Sequence, residues 1–511
     1  MEFLGLNQSL TDQGFLSLLS LIILSIPIAA TLAHLIFNQK GNPEIQAPFV
    51  GSNYSLLARF SFFVDAERTV NDGYDKFKDR VFKLCGNDVI VLPNKYIDEI
   101  RNLPSSKLNS ILANITNAQG VFSITDVLAT SNLHTRVIQS KLTPKLSSLV
   151  PTIRDELAFA LEKEFPRCPD EWKTIEIYEV LRHIVSRTSA RVFVGPDLCR
   201  NENWLYAADG YTENAFITIV ALRLFPFWLK HVAAFFVPSS WKISHYFRHA
   251  KRIVIPVIEQ RRQVENQGKR IIDEVHLENF LQMMMDEAVG PEGDPTTLTQ
   301  RVLSLTLASN HTTTMALTQA FYDMCTYPEY INELREEVQN VINEDGGWRK
   351  SSLTKMKKLD SFMKESQRCN PPSLTGFKRQ VMEPLTLSDG LLLPKGAHIE
   401  MAIVPIQRDH TVDPDRFDGF RYYRKRREPG QEHKHQFATT DNYTLHFGHG
   451  KYGCPGRFMA SNTIKMILGQ LLLDYDFKFP EGGSRPRSLP AFEYSFPDPK
   501  GKVMFKERRK F

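Results

Sequence analysis

The chain of 511 residues has 42% hydrophobic residues and a formal net charge of +5, a composition typical of a globular protein with a large core. The net charge is small for this length and argues against nucleic acid as a partner. The six cysteines are scattered without a CxxC pair, which argues against a disulfide scaffold or a zinc site and favours a domain that faces the cytosol.

The first predicted element is a membrane anchor. Residues 15–37 contain no Asp, Glu, Lys or Arg, and a bilayer core needs roughly 20 apolar residues in a helix. Lys40 follows, which places the C-terminal side in the cytosol. The alternative is a cleaved signal peptide, which the long apolar run and the absence of Lys or Arg before Phe15 disfavour. We predict an anchor over residues 1–40 and a catalytic domain over residues 41–511.

The middle of the chain predicts a long helix that begins at Pro295 and runs to about Thr326. Its roughly 30 residues correspond to about 45 Å. The three threonines at 312–314 are poor helix formers. Their hydroxyls can bond carbonyls four residues back and bend the helix, which opens a niche. Such a local exception often marks a functional site, although a threonine cluster is also found in ordinary packing.

The strongest motif lies at residues 447–457, where Cys454 stands between glycines just before an amphipathic segment. Unpaired N–H groups at a helix N-terminus favour an anion and lower the pKa of a thiol. Gly450 and Gly456 leave room for a flat, bulky group, and Phe447 covers the sulfur. The arrangement suits a thiolate that donates one axial bond to a heme iron. The alternative is a buried, inert cysteine in a turn.

This motif resembles the heme-binding signature of the cytochrome P-450 family, Phe-x-x-Gly-x-Arg-x-Cys-x-Gly. Phe447, Gly450, Cys454 and Gly456 match the signature. Tyr452 stands where the family has an Arg or His that holds a heme propionate. A tyrosine hydroxyl donates one hydrogen bond without a charge, which puts this propionate contact in doubt but not ligation by Cys454.

The threonine run resembles the family's oxygen-activation motif, Ala/Gly-Gly-x-Asp/Glu-Thr-Thr. By this resemblance Thr312 is the threonine that holds water near bound oxygen, and His311 replaces the acid. Histidine at this position either shuttles protons near neutral pH or caps local polar groups, and the sequence leaves both roles open.

Two further motifs resemble the family's Glu-x-x-Arg and Pro-x-Arg-Phe elements. Glu365 and Arg368 form the first, and Arg416 belongs to the second, at residues 414–417. The resemblance implies that the three charged groups lock the core behind the heme, a role that suits the planar fork of arginine. We predict a structural rather than a catalytic role for all three residues.

The resemblance also implies further cofactor contacts and a substrate site. The stretch 134–149 resembles a helix that reaches a propionate. The family's basic position falls on Gln139, between Arg136 and Lys141, and the alternative is a basic helix face in solvent. Residues 212–241, rich in Phe and Trp, resemble a lid that also touches the membrane, and the alternative is core. The predicted substrate-lining residues are Leu307, Ala308, Leu374, Thr375 and Phe496.

The basic run at residues 424–427 is either a solvated loop or part of a positive face. Together with Lys451, Arg457 and Lys465 it would dock an acidic electron-transfer partner. The chain itself contains no GxGxxG fingerprint for a nucleotide. The resemblance implies electrons from NADPH through a cytochrome P-450 reductase, with cytochrome b5 as a further donor.

The four motifs together predict a mainly α protein with small β-sheets, a cytochrome P-450 fold preceded by an N-terminal transmembrane helix. The resemblance implies heme b, a location in the endoplasmic reticulum membrane and a catalytic domain that faces the cytosol. The motif variants look like those of fungal enzymes that oxidise terpenoids of the diterpene or indole diterpene type. Polyketide and alkaloid substrates stay open. An oxygen-independent heme-thiolate isomerase or dehydratase, and a non-catalytic heme sensor, are the rival functions, and retention of Thr312 disfavours the isomerase.

Overall fold

The computed structural model describes residues 45, 47–51, 55–84, 89–267 and 279–508. In these ranges helices dominate, and short strands form four small sheets. The predicted fold class, mainly α with small β-sheets, is confirmed. The predicted anchor at residues 15–37 lies outside the described residues. None of the helices within them has both the length and the apolar character to cross a membrane.

For description, the helices are divided in chain order into a first group, up to residue 199, and a second group, from residue 202. Those of the first group are α1 Ser55–Val64, α2 Ala66–Phe77, α3 Ile97–Ile100, α4 Ser110–Asn117, α5 Gly120–Ser123, α6 Val127–Thr130, α7 Leu133–Val137, α8 Leu146–Glu164, α9 Ile177–Phe193 and α10 Pro196–Cys199. Those of the second group are α11 Glu202–Arg223, α12 Lys230–Phe236, α13 Pro238–Asn266, α14 Phe280–Glu287, α15 Pro295–Thr326, α16 Ile331–Asp345, α17 Lys350–Lys355, α18 Lys357–Cys369, α19 Ile403–Asp409, α20 Arg421–Lys425 and α21 Arg457–Asp474.

The strands are short. They are β1 Phe49–Val50, β2 Phe82–Leu84, β3 Val89–Val91, β4 Leu108–Asn109, β5 Lys173–Glu176, β6 Thr375–Val381, β7 Leu385–Thr386, β8 Leu392–Leu393, β9 His398–Ala402, β10 Tyr475–Lys478, β11 Leu489–Ala491, β12 Tyr494–Phe496 and β13 Lys502–Glu507. The largest sheet has the order β1-β2-β3-β9-β6-β4, β10, β13 and β5 form a second sheet, and β11–β12 and β7–β8 are hairpins.

An irregular position in β6 places two neighbouring cations on different sides of the largest sheet. The register of β6 against β9 shifts between Gly376 and Arg379. Phe377, inside this bulge, has a φ of 55°. Successive side chains of a strand point to opposite faces. Lys378 and Arg379 therefore leave the same strand in different directions.

The central helix α15 has the bounds that the sequence predicts. The Asp294 side chain accepts from the N–H of Thr297 at 2.8 Å, and Pro295 occupies the first turn. Both features stabilise a helix N-terminus. The helix ends at Thr326, shortly before Pro328. It packs against α9, α11, α13 and α21, so it runs through the centre of the helical region.

Two hydrophobic clusters meet at the cysteine motif. The larger cluster contains the helical core, including Phe321, and the smaller one packs the main sheet, including Ile399. Leu445 belongs to the sheet cluster, whereas Phe447 packs against the helical cluster. The loop that carries Cys454 therefore starts where the two clusters adjoin.

Candidate active site

Cys454 lies at the end of a glycine-rich turn, directly before α21. Its N–H donates to the carbonyl of Phe447 at 2.6 Å, and Nη1 of Arg457 donates to its carbonyl at 2.7 Å. The Cys454 side chain is exposed, although α21 belongs to the helical core. A Cβ added at Gly456 would meet no atom within 4 Å. The cysteine and this glycine therefore border open space inside the fold.

The turn is held against the end of α3. Gly450 has a φ of 72°, and a Cβ added there would stand 2.6 Å from the carbonyl oxygen of Arg101, so this close approach requires glycine. Nη1 of Arg101 donates to Nε2 of His449 at 2.8 Å. Because arginine can only donate, Nε2 accepts, and Nδ1 of His449 donates to Oγ1 of Thr440 at 3.0 Å. These contacts fix the turn.

The thiol of Cys454 has a raised pKa. Although the sulfur borders open space, the protein atoms that surround this space desolvate it and raise its pKa, whereas the N–H groups of Gly456 and Arg457 and the charge of Arg457 lower it. The sequence predicts that N–H groups at the helix N-terminus lower the pKa of the thiol, and those of Gly456 and Arg457 act in this direction, but desolvation outweighs them. A metal cation bound at the sulfur would favour the thiolate.

One face of α15 is open in its middle. Ala308 and Thr312 are exposed, whereas Thr313 and Met315 are buried. Ala308 and Thr312 are four residues apart and share a face of the helix. Oγ1 of Thr312 donates to the carbonyl of Ala308 at 2.8 Å, the bond that the threonine run predicts. The hydroxyl oxygen keeps lone pairs for a second partner, so it can hold a water molecule.

His311 is directed to α11. Its Nε2 lies 3.1 Å from the carbonyl of Thr212, to which it donates. Its ring lies 5.4 Å from that of Phe216, which in turn lies 4.7 Å from the ring of Phe496. Burial lowers the pKa of His311, so the neutral form predominates near neutral pH. Of its two predicted roles, the geometry favours capping a polar group over shuttling protons.

A buried cation lies next to the cysteine turn. Arg379 is 1% exposed, and burial lowers its pKa to about 10. Its guanidinium donates to the carbonyl of Lys378 at 2.8 Å and to Oγ of Ser110 at 3.2 Å. Within the described ranges no carboxylate lies within 4.0 Å of it, and its Nε has no hydrogen-bond partner. Such a charge requires an anion from elsewhere.

The hydroxyl of Tyr452 is the second unpartnered donor at this place. It is buried and, among the described residues, makes no hydrogen bond. The Arg379 guanidinium lies 5.4 Å from the centre of the Tyr452 ring. Arg379 and Tyr452 thus offer a charged and a neutral donor to one anion, and the propionates of a heme have the required chemistry. The residues present fit a heme, and sequence reasoning missed Arg379 because no motif contains it.

The other predicted propionate contacts are engaged elsewhere. Nη2 of Arg136 donates to Glu292 at 3.0 Å, and Nζ of Lys141 lies 2.8 Å from Glu287. Gln139 is exposed. The first two residues therefore brace the segment that leads into α15.

The predicted charged lock forms around Glu365, with one change of residue. Nη2 of Arg368 donates to Glu365 at 2.7 Å, and Nε of Arg421 donates to it at 3.2 Å. The side chain of Arg416 is exposed, and only its carbonyl takes part, accepting from Arg421 at 2.9 Å and from Arg368 at 3.3 Å. The structure therefore places Arg421, and not the predicted Arg416, in the lock, because the chain turns inward only at the start of α20.

The predicted substrate-lining residues differ in exposure. Ala308 is exposed and Leu307 and Phe496 are half-buried, whereas Leu374 and Thr375 are buried. The hydroxyl of Thr375 donates to Glu400, so its polar group is occupied within the sheet.

The predicted lid lies partly in solvent. Residues 212–241 comprise the end of α11, a 3-10 turn, α12 and the start of α13. Phe227 is 80% exposed, and Phe235, Phe236 and Trp241 are also exposed. This contradicts the alternative that the whole segment is core. A cluster of exposed aromatic rings is typical of a surface that meets an apolar partner.

The predicted positive face is smaller than the basic residues of the sequence imply. Nζ of Lys465 lies 2.7 Å from Asp360, and Nη1 of Arg426 lies 3.5 Å from it. Both cations are buried. Lys451 is exposed and is free to face a partner.

Comparison with known proteins gives consistent results. A sequence profile of the Cytochrome P450 family matches residues 94–505. The chain is 50% identical to cytochrome P450 monooxygenase AN1598 of Emericella nidulans, over 91% of this chain and 88% of that protein. It is 38% identical to ent-kaurene oxidase P450-4 of Gibberella fujikuroi, over 91% of this chain and 93% of that protein.

A solved structure shares the fold. Retinoic acid bound cyanobacterial CYP120A1 matches with a TM-score of 0.64 at 18% sequence identity, covering 91% of this chain and 100% of that chain.

Proposed function

The chain belongs to the cytochrome P450 family, and from this premise we propose that it is a membrane-anchored monooxygenase of a large, apolar secondary metabolite of the terpenoid class. The family binds heme through a cysteine thiolate and catalyses monooxygenation. One observation carries the assignment of the site. Cys454 and the Ala308–Thr312 face of α15 are exposed, although α15 and α21 pack together in the core.

Four groups of this chain would hold the heme. Cys454 would bind the iron, and Phe447, which packs against the ring of Phe437 at 5.4 Å, would support the loop. Arg379 and Tyr452 have unpartnered donors suited to the propionates. An arginine supplies the charge that Tyr452 lacks at the family's basic position.

When bound, the heme supplies the activation of molecular oxygen and the oxidation of a C–H bond. The protein supplies positions and protons. Oγ1 of Thr312 donates to the carbonyl of Ala308 and can accept a hydrogen bond from a water in the open space. The hydroxyl would thus hold a water molecule, which carries the proton, at this position. Neutral His311 holds α11 against α15 at Thr212. Half-buried Leu307 and Phe496 would contact an apolar substrate.

The terpenoid class has two supports. Relatives named ent-kaurene oxidase are 38% identical over 91% of this chain. The lid residues Phe227, Phe235 and Phe236 form an exposed apolar surface, which suits a large apolar compound that arrives from a bilayer. Polyketides and alkaloids belong in the same screen, and turnover of one of them in place of a terpenoid would revise the substrate class.

The location follows from the anchor. Residues 15–37 have the length and composition of a bilayer-spanning helix, and the endoplasmic reticulum membrane would also hold the reductase that supplies electrons from NADPH. Cytochrome b5 is a second donor in this proposal. The anchor is tested by removing residues 1–40 and measuring the fraction of protein that sediments with microsomes.

The first experiment is the difference spectrum of the reduced, CO-bound protein in microsomes, for the wild type and Cys454→Ser. We expect a Soret band at about 450 nm in the wild type, as thiolate ligation of the heme produces, and its loss in the variant. A heme-loaded wild type without this band would contradict the assignment of Cys454. Consumption of NADPH with reductase and ent-kaurene then separates the monooxygenase from an oxygen-independent isomerase.

A further inference from the structure

One buried carboxylate outside the heme site joins four segments of the chain. Glu493 lies in the turn of the β11–β12 hairpin and is 1% exposed. Nη2 and Nη1 of Arg223 donate to it at 2.6 and 3.2 Å. Nζ of Lys378 and Nδ2 of Asn117 donate to it at 2.6 and 2.7 Å. The donors come from the last residue of α11, from β6 and from the end of α4.

The charges of this cluster balance. Lys378 also lies 3.5 Å from Glu400, so two cations face two carboxylates. Burial alone would raise the pKa of Glu493, but Arg223 and Lys378 outweigh burial and hold it well below the usual range. Within the described residues, the two cations and the two carboxylates of this cluster are paired with each other. The cluster therefore serves to hold segments together, which agrees with an apolar substrate.

The hairpin does not need Glu493 for its own position. Its main chain is already bonded to its neighbours, since the carbonyl of Glu493 accepts from the N–H of Leu374 at 2.7 Å and the N–H of Phe492 donates to Phe63 at 3.2 Å. The carboxylate adds side-chain contacts with β6 and α4, through Lys378 and Asn117, and with α11, through Arg223. The Arg223 guanidinium also lies over the Phe492 ring, 4.3 Å from its centre.

The segment that follows Arg223 is the part of the lid beyond α11. Residues 224–236 lead directly from α11 into the exposed rings of Phe227, Phe235 and Phe236. Upstream, α11 touches the open site through Phe216, whose ring meets that of Phe496 on the same hairpin at 4.7 Å. The Arg223–Glu493 contact thus joins the end of α11, where the exposed segment begins, to the hairpin.

We propose that Glu493 is a positioning residue of the distal site, which keeps the lid closed by holding Arg223 at the end of α11 and so limits the access of large ligands. The inference rests on the proposed function, since it takes the space between α11, α15 and the hairpin to be the substrate site. It predicts that loss of this contact frees the lid without disturbing the heme.

The test replaces Arg223 rather than Glu493. When Arg223 is replaced, Glu493 stays paired with Lys378 and Asn117, so the change is confined to the contact with α11. Arg223→Met removes the connection, and Arg223→Lys keeps the charge with one bond. The matched control is Glu202→Gln at the other end of α11, where Glu202 meets Arg187 at 3.3 Å, far along the helix from the hairpin.

Amide hydrogen exchange of the heme-loaded proteins is the first readout. We expect exchange in peptides from residues 224–236 to become about tenfold faster in Arg223→Met and less so in Arg223→Lys. Exchange in α16 and in Glu202→Gln should match the wild type. Unchanged exchange of the lid in both Arg223 variants, or an equal rise in α16, would overturn the proposal. If Arg223→Met does not fold, Arg223→Lys alone decides.

Ligand binding is the second readout and uses two azoles of different size. The association rate of econazole, followed by the Soret shift, should rise about fivefold in Arg223→Met, since a lid that opens more often admits a bulky ligand sooner. The rate for imidazole should stay constant and shows that the heme site is intact. Equal changes for both azoles would overturn the proposal. Absence of an imidazole shift in the wild type would instead contradict the proposed function.

Discussion

Two buried carboxylates organise this molecule in different ways. Glu365 is 0% exposed and accepts from Arg368 and Arg421, and Glu493 is 1% exposed and accepts from Arg223 and Lys378. The remaining N–H groups of Arg368 and Arg421 donate to carbonyls of residues 412–416, within one short loop. The partners of Glu493 come instead from helices, a strand and a hairpin around the open site.

The difference shows that the same chemistry can brace a rigid core or tie movable segments together. Around Glu365 both arginines also donate to main-chain carbonyls of residues 412–416, so neither can withdraw without breaking those bonds as well. Around Glu493, α11 leads into an exposed lid.

The largest expected effect separates the two carboxylates. Glu365→Gln leaves two buried arginines without a countercharge and should cost about 3–5 kcal/mol of stability, so no heme-loaded protein accumulates. Glu493→Gln should cost less, about 1–3 kcal/mol, because Lys378 keeps Glu400 as a countercharge and an amide oxygen can still accept from Arg223. The ratio of heme to protein, measured as pyridine hemochrome, checks both. Equal heme content in the two variants would remove the distinction.

The second prediction concerns which arginine completes the Glu365 lock. Arg421→Met should destabilise the protein by about 3 kcal/mol, because Glu365 and three main-chain carbonyls lose a donor. Arg416→Met should leave stability unchanged, since its side chain is exposed. Thermal unfolding midpoints of the two variants decide the assignment, and a larger shift for Arg416→Met would restore the prediction from sequence.

The third prediction concerns His134, a buried base that has no carboxylate partner among the described residues. His134 accepts from Nη1 of Arg301 at 3.3 Å, and burial, followed by the charge of Arg301, lowers its pKa to about 4. Between pH 6.5 and 4 the unfolded chain binds a proton that the folded protein does not. Stability from this group is therefore lost as pH falls, by about 2 kcal/mol at pH 5.

His134→Asn should reduce this loss, because an amide oxygen can accept from Arg301 but does not titrate. The measurement is the unfolding midpoint in urea at pH 7 and pH 5 for both proteins. An identical difference between the two pH values in wild type and variant would show that His134 is not the group responsible.

The smallest expected effect is at the propionate position. Tyr452→Phe removes a buried hydroxyl that we assign to a propionate, and one hydrogen bond contributes about 1 kcal/mol. Transfer of heme to apomyoglobin should be about fivefold faster in this variant. Tyr443→Phe, on an exposed ring, is the control. An unchanged transfer rate for Tyr452→Phe would leave Arg379 as the donor to test.

The motifs found in the sequence have one property in common. The cysteine turn, the threonine run and Glu365–Arg368 depend on residues close together in the chain, and local backbone geometry requires them there: Gly450 allows the approach to Arg101, and Thr312 bonds back to Ala308. The long helix was predictable for the same reason, since Asp294 and Pro295 mark its start.

The residues that sequence reasoning missed lie in contacts across long separations. Arg421 stands five residues after Arg416, and the motif resemblance points to Arg416, so only the folded chain selects Arg421. Glu493 and Arg223 are 270 residues apart. No local pattern connects them, because α11 and the hairpin meet only after the helices pack.

The sequence by itself determined the class of protein and the bounds of the long helix, and it predicts the thiolate ligand, because the motifs depend on spacing and on the few residue types that the chemistry tolerates. The tertiary structure alone decided which charges are buried and with whom they pair. It placed Arg379 beside Tyr452, Arg421 at Glu365 and Arg223 at Glu493. Desolvation makes a buried charge depend on its neighbours in space, and those neighbours come from distant parts of the chain.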